Sequence, residues 1–86
     1  MQDVKKKLVY SAVGKTVKKL RGKKSQYLFG AEYDIPQSVL SDLENCKKDP
    51  QLTTLLKLAE SFGLSFSEFA AEIEKELPDG FSLIDD

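Results

Sequence analysis

Apolar residues recur along this chain at three- and four-residue intervals rather than alternately, which is the spacing of one helix face. Val13, Val17 and Leu20 stand at i, i+4 and i+7. Val4 and Leu8 extend that stripe toward the N-terminus, giving either one long helix or a frayed arm followed by a helix. Gly22 and the lysines after it weaken the pattern and end it. Ser25 can cap a second helix carrying Leu28, Phe29 and Tyr33. Asp34-Ile35-Pro36 breaks that helix from a third. Proline fixes its own φ, lacks an N–H, suits a first helical turn and biases the residue before it away from helix. Leu40 and Leu43 give the third helix its inward face, and it ends around Asn45, before the polar stretch 47–50.

A fourth helix is expected after Pro50, with Leu52, Leu55, Leu56, Ala59 and Phe62 facing inward and Gly63 just past its end. Ser65 and Glu68 have capping-box spacing ahead of a fifth helix. Its stripe of Phe66, Phe69, Ala70, Ile73 and Leu77 is the cleanest in the chain. Pro78-Asp79-Gly80 stops it, and Phe81, Leu83 and Ile84 follow in an acidic tail, 78–86. No segment alternates with a period of two, so no sheet is expected. The pattern predicts an all-α fold: one compact five-helix domain spanning 1–86.

Eighty-six residues accommodate a single domain, and so short a chain gains from a partner subunit or very regular packing. One cysteine and no histidine exclude an internal disulfide and a Cys/His zinc site, and no cofactor or metal is expected. No apolar run approaches the roughly 20 residues needed to span a bilayer, and the lysine-bearing N-terminus lacks the features of a signal peptide. A reducing, cytoplasmic setting fits best. The net charge of −1 conceals an asymmetry: residues 1–48 carry eleven Lys and Arg against five Asp and Glu, whereas 49–86 carry two against nine. A basic face and an acidic one are implied, the first suited to a polyanion.

Two short helices joined by a three-residue break have the helix-turn-helix layout. Spacing alone does not establish DNA binding. The residues add to it: Ser25-Gln26, Phe29-Gly30, Asp34-Ile35-Pro36, Leu40-Ser41-Asp42-Leu43-Glu44-Asn45, Pro50, Leu55-Leu56-Lys57-Leu58-Ala59 and Gly63-Leu64-Ser65 occur in this order. From about Val13 to Leu77 the chain resembles the Cro/phage-repressor (XRE-type) helix-turn-helix regulators, with the motif at 25–45. The resemblance implies a lambda-repressor-like fold and double-stranded DNA as partner.

By that resemblance Gln26 lies at the start of the positioning helix and meets a phosphate. Gln37, Ser38, Ser41 and Asp42 form the outward face of the recognition helix, while Asn45, Lys47 and Lys48 follow the DNA backbone after it. Arg21 and Glu44 match a pair that ties the first helix to the end of the third. The chain also departs from the family. Lys24 runs directly into Ser25, shortening the link before the motif, and Gly30 replaces an alanine, which is sterically harmless but weakens a helix by ~1 kcal/mol. Asp34 and Cys46 occupy positions where glycine is common, and Pro36 replaces a hydroxyl-bearing cap. Asp42 can only accept hydrogen bonds in a groove flanked by phosphates.

The first reading is a sequence-specific DNA-binding regulator, a dimeric repressor that places helix 36–45 in the major groove. Its dimer contact would lie on the fifth helix and the tail, with Leu83 and Ile84 the residues set aside for it and Phe69 and Ile73 read as core. The second is a protein-interaction module on the same scaffold, such as an antitoxin that sequesters a toxin, favoured by Asp42 and the acidic second half. Enzymatic function finds no support: there is no histidine, no thiol–base arrangement and no Gly-rich phosphate loop. Cys46 beside Lys47 and Lys48 is read as incidental.

Overall fold

The computed structural model describes the backbone of residues 2–84 and side chains from Val4 onward. The end of the acidic tail, Asp85 and Asp86, lies outside the described residues. Five helices follow one another: α1 (Gln2–Arg21), α2 (Gln26–Tyr33), α3 (Gln37–Glu44), α4 (Leu52–Ser61) and α5 (Phe66–Glu74), with no strand among the described residues. The stripe through Val4 and Leu8 therefore belongs to one long helix rather than an arm plus a helix. That helix outruns the bundle, and Val4 and Leu8 remain exposed.

Local chemistry explains where each helix begins and ends. Gly22 closes α1 at φ +66°, its N–H bonded to the Lys18 carbonyl at 3.2 Å. Ser25 caps α2, its hydroxyl accepting from the Leu28 N–H at 3.1 Å. Pro36 stands one residue ahead of the expected first turn, extended at ψ 137°, with α3 starting at Gln37. There its missing N–H costs nothing, and its carbonyl accepts from Val39 and Leu40. Gly63, at φ +72°, ends α4 in a Schellman turn: Leu64 donates to Ala59 and Gly63 to Glu60. Ser65 and Glu68 form both hydrogen bonds of the capping box, at 3.1 and 2.8 Å.

The core is built from Val13, Val17, Phe29, Ile35, Leu40, Leu43, Leu58, Ala59 and Phe69. Phe29, Phe62 and Phe69 stack in a tilted series, with centroids 5.3 and 5.8 Å apart. α1 lies across α3 on one side and α5 on another; α2 packs on α3, and α4 on α5. Thr16 is a buried polar residue on the α5 side of α1. Its hydroxyl donates to the Ala12 carbonyl at 2.8 Å and lies 3.5 Å from that of Glu72.

Two inward assignments change. Leu52 and Leu56 on α4 are exposed, whereas Leu58 is fully buried; Leu28 on α2 is exposed too. In a row of leucines at 52, 55, 56 and 58, two adjacent stripes satisfy helical spacing equally well. Packing against the core selects the one through Leu55, Leu58, Ala59 and Phe62.

Glycines set the closest approaches. A Cβ on Gly14 would sit 2.5 Å from the Leu43 carbonyl oxygen, so α1 and α3 touch backbone to backbone there. Gly30 is also more than a weak helix residue. A Cβ at that position would lie 2.3 Å from the Ile35 carbonyl oxygen, because the turn folds back onto α2 with Ile35 N–H bonded to Gly30 at 2.8 Å. Asp34 and Cys46, the two residues standing at customary glycine positions, both adopt the left-handed region, at φ 56° and 59°.

Two substitutions of opposite sign test this packing. Gly14→Ala should lower unfolding stability by about 1–3 kcal/mol in urea, because rigid backbone must move to admit the methyl. Cys46→Gly should raise stability by up to about 1 kcal/mol by removing a Cβ from a left-handed residue. A Gly14→Ala variant as stable as the parent would show that the two helices can separate freely.

Candidate nucleic-acid interface

The ridge formed by α2, the turn and α3 carries the residues singled out from the sequence. Its position is set from beneath. Leu40 and Leu43 anchor α3 in the core, and Arg21 holds its last turn from α1. The guanidinium meets Glu44 with two parallel bonds, Nε to Oε2 at 2.8 Å and Nη2 to Oε1 at 2.7 Å. Arg21 also donates to the Lys24 carbonyl, so one side chain ties α1, the link and α3 together. Both charged groups are largely shielded, with side chains 12% and 5% exposed, which makes this a desolvated pair rather than a surface one.

Burial pushes the Glu44 carboxyl up. The hydrogen bonds from Arg21 and Gln26, with the charges of Arg21 and Lys18, outweigh that and hold it below its ordinary value. The Arg21 guanidinium is raised chiefly by its hydrogen bond to Glu44, against the opposing effect of burial.

Gln26 has a partner within the chain. Its amide Nε2 donates to Glu44 Oε1 at 3.2 Å and the residue is half-buried, so one of its two amide hydrogens faces the ion pair. Gln37 and Ser38 occupy the first turn of α3 and are exposed, with no side chain capping the helix ahead of them. Ser41 is half-buried one turn on, and its hydroxyl accepts from Asn45 Nδ2 at 3.2 Å. These two brace each other along the helix.

Asp42 lies on the flank of α3, half-buried, with Oδ2 3.3 Å from the Lys48 Nζ. The awkward carboxylate is thus neutralised within the chain, and one of the two lysines expected on the DNA backbone supplies the charge. Asp42 and Lys48 also line a cavity of about 260 Å³ with Val39, Leu43, Asp49, Pro50, Gln51 and Thr54. Lys47 remains exposed, its backbone N–H bonded to the Asp42 carbonyl at 2.9 Å. The structure therefore groups Gln37, Ser38 and Ser41 on α3 with Asn45 at its C-terminal cap and Lys47 beyond it, and turns Gln26 and Asp42 toward partners within the chain.

Neither the Gln26–Glu44 bond nor the Asp42–Lys48 pair was signalled in the sequence, because both close between different elements. Gly14 did carry a signal that went unread: a glycine inside an amphipathic helix marks a close backbone approach. No group of three or more acidic or thiol side chains that could hold a metal occurs among the described residues. No helix there is long and apolar enough to cross a membrane.

Five helices with the second and third in this arrangement define a helix-turn-helix domain, and a helix-turn-helix family profile matches residues 17–69. The chain belongs to this family of DNA-binding domains, in its XRE-type branch. It is 38% identical over 66 residues to control protein C.MunI of a Mycoplasma species, an alignment covering 73% of this chain and 89% of the relative. No solved structure matches.

The Arg21–Glu44 pair makes a two-part prediction. Glu44→Ala should cost about 2–4 kcal/mol of stability near neutral pH, since it leaves a shielded guanidinium unpaired. With Glu44→Gln, the deficit relative to the parent should depend on pH. A carboxyl held below its ordinary value of 4.5 contributes stability that is fully present above that value and is lost as pH falls through its folded-state value. Urea unfolding from pH 7 downward should show the two proteins converging below about pH 4.5. A constant gap across that range would mean that the charge on Glu44 does not stabilise the fold.

Proposed function

We propose that this protein is a sequence-specific transcriptional regulator that binds double-stranded DNA as a homodimer, each protomer placing α3 in the major groove. The observation that carries this reading is the nearly uncharged face of Gln37, Ser38, Ser41 and Asn45, exposed but for the half-buried Ser41, over a packed core in a chain of this family. Gln can bond bidentately to adenine, and a serine hydroxyl can serve any base as donor or acceptor. Lys47 and the lysines of the basic first half supply the sequence-independent attraction to phosphate. Such a role belongs in the cytoplasm, and the relative named as a control protein fits regulation of transcription. Repression follows if α3 occupies DNA that the polymerase needs.

A single α3 of eight residues offers little surface, so two copies related by a twofold axis would read half-sites one DNA turn, ~34 Å, apart. Large apolar groups are exposed on α4 as well as on α5 and the tail. Phe69 is buried and Ile73 packs on the core, leaving Phe66, Leu83 and Ile84 exposed. Leu52 and Leu56 on α4, at 61% and 43% exposure, join them as large apolar groups at the surface. The antitoxin reading loses its main support once Asp42 is paired with Lys48.

Mobility-shift titrations across a salt series should give a steep negative slope of log affinity on log salt, and Lys47→Ala should reduce that slope by about one unit. A flat slope for the parent would remove the DNA-binding reading. Leu56→Lys should lower the sedimentation mass toward that of a monomer and weaken binding to paired half-sites. An unchanged mass would place the dimer contact elsewhere.

A further inference from the structure

Tyr27 is the second residue of α2 and is 67% exposed, the most open of the large aromatic side chains. It shares one face of α2 with Ala31, at i and i+4, and Asp34 follows as the left-handed residue that ends the helix. Across from that face stand Pro36 and Gln37, and the residues together line an open groove of about 340 Å³. The groove thus runs from the start of α2 to the first residue of α3. Among the described residues, no side chain or backbone group bonds the Tyr27 hydroxyl.

The groove's chemistry is restrictive. Pro36 has neither an N–H nor a hydroxyl, Asp34 is an acceptor whose carboxylate lies 3.7 Å from Lys57 Nζ, and Gly30, Ala31 and Ile35 offer no polar side chain. The side-chain donors are the Gln37 amide and the Tyr27 phenol, on opposite walls. Gln26, next to Tyr27 in sequence, has its amide nitrogen turned to Glu44. We propose that Tyr27, rather than Gln26, is the side chain with which α2 holds the DNA backbone, its hydroxyl donating to a phosphate oxygen at the lip of the groove entered by α3.

This inference rests on the DNA-binding reading above. It makes Tyr27 a positioning residue: phosphates fix register and orientation but carry no base identity. Its donor is neutral, so the contact should add affinity without displacing a counterion, unlike a lysine.

The test uses the full chain, a duplex enriched from a random pool by the purified protein, and an unrelated duplex of equal length. Tyr27→Phe removes only the hydroxyl at an exposed position and should leave the melting temperature unchanged. Affinity for both duplexes should fall about 10-fold or more, the range of one hydrogen bond to a charged acceptor, with the salt slope unaltered. Methylphosphonate substitution, scanned along the enriched duplex, should find one phosphate whose neutralisation erases the difference between Tyr27→Phe and the parent. Equal binding by Tyr27→Phe and the parent would overturn the assignment while leaving DNA binding intact. A loss confined to the enriched duplex would overturn it in favour of a base contact. Failure of the parent to bind any duplex would overturn the functional reading and this inference with it, pointing the groove toward a protein partner.

Discussion

The contact between α1 and α3 governs the placement of the helix-turn-helix. At one point along it, Gly14 lets α1 rest on the Leu43 carbonyl with no side chain between. Farther along, Arg21 grips Glu44 with a forked pair of hydrogen bonds in a largely shielded setting. A backbone contact sets the distance between the helices, and a planar, bidentate ion pair sets the rotation of α3 about its own axis. A lysine in place of Arg21 would keep the charge and lose the fork. Because α3 is only two turns long, an error of a few degrees in that rotation would redirect Gln37, Ser38, Ser41 and Asn45 together.

The same contact decides the chemistry of the outer surface. Glu44 attracts the Gln26 amide as well as Arg21, which draws the start of α2 inward and leaves Tyr27 as its exposed polar neighbour. Asp42, two residues before Glu44, points to the other flank, where Lys48 neutralises it from the loop after α3. Both carboxylates of α3 are therefore compensated from within the chain. The presented face is left almost neutral, and attraction to a polyanion passes to lysines outside α3.

Two of the sharp turns put ordinary side chains where glycine is customary. Asp34 and Cys46 both take left-handed φ, bracketing α3 at its entry and exit. Gly30, one turn before Asp34, provides the room that lets the first of these turns close over Ile35. The first of these departures is therefore accommodated by a specific neighbour, and the core residues Ile35, Leu40 and Leu43 keep the motif closed.

How much could be read in advance divides along physical lines. Helix number, the Ser25 cap, the Ser65–Glu68 box, the Gly22 and Gly63 ends and the inward Leu40 and Leu43 all follow from interactions within a few residues, which spacing and residue type record directly. Spacing could not choose between the stripes of α4, because Leu52, Leu56 and Leu58 are equally apolar and only the neighbouring aromatics distinguish them. Nor could it show that Gln26 turns to Glu44, that Lys48 spends its charge on Asp42, or that Tyr27 stands open across from Gln37. Those are outcomes of which surfaces meet once the helices pack, and a side chain with several possible partners commits only when one is brought within hydrogen-bond reach. The sequence by itself determined a helix-turn-helix and the residues able to serve it. The tertiary structure decided which of them face outward, because burial and pairing within the fold had already claimed the others.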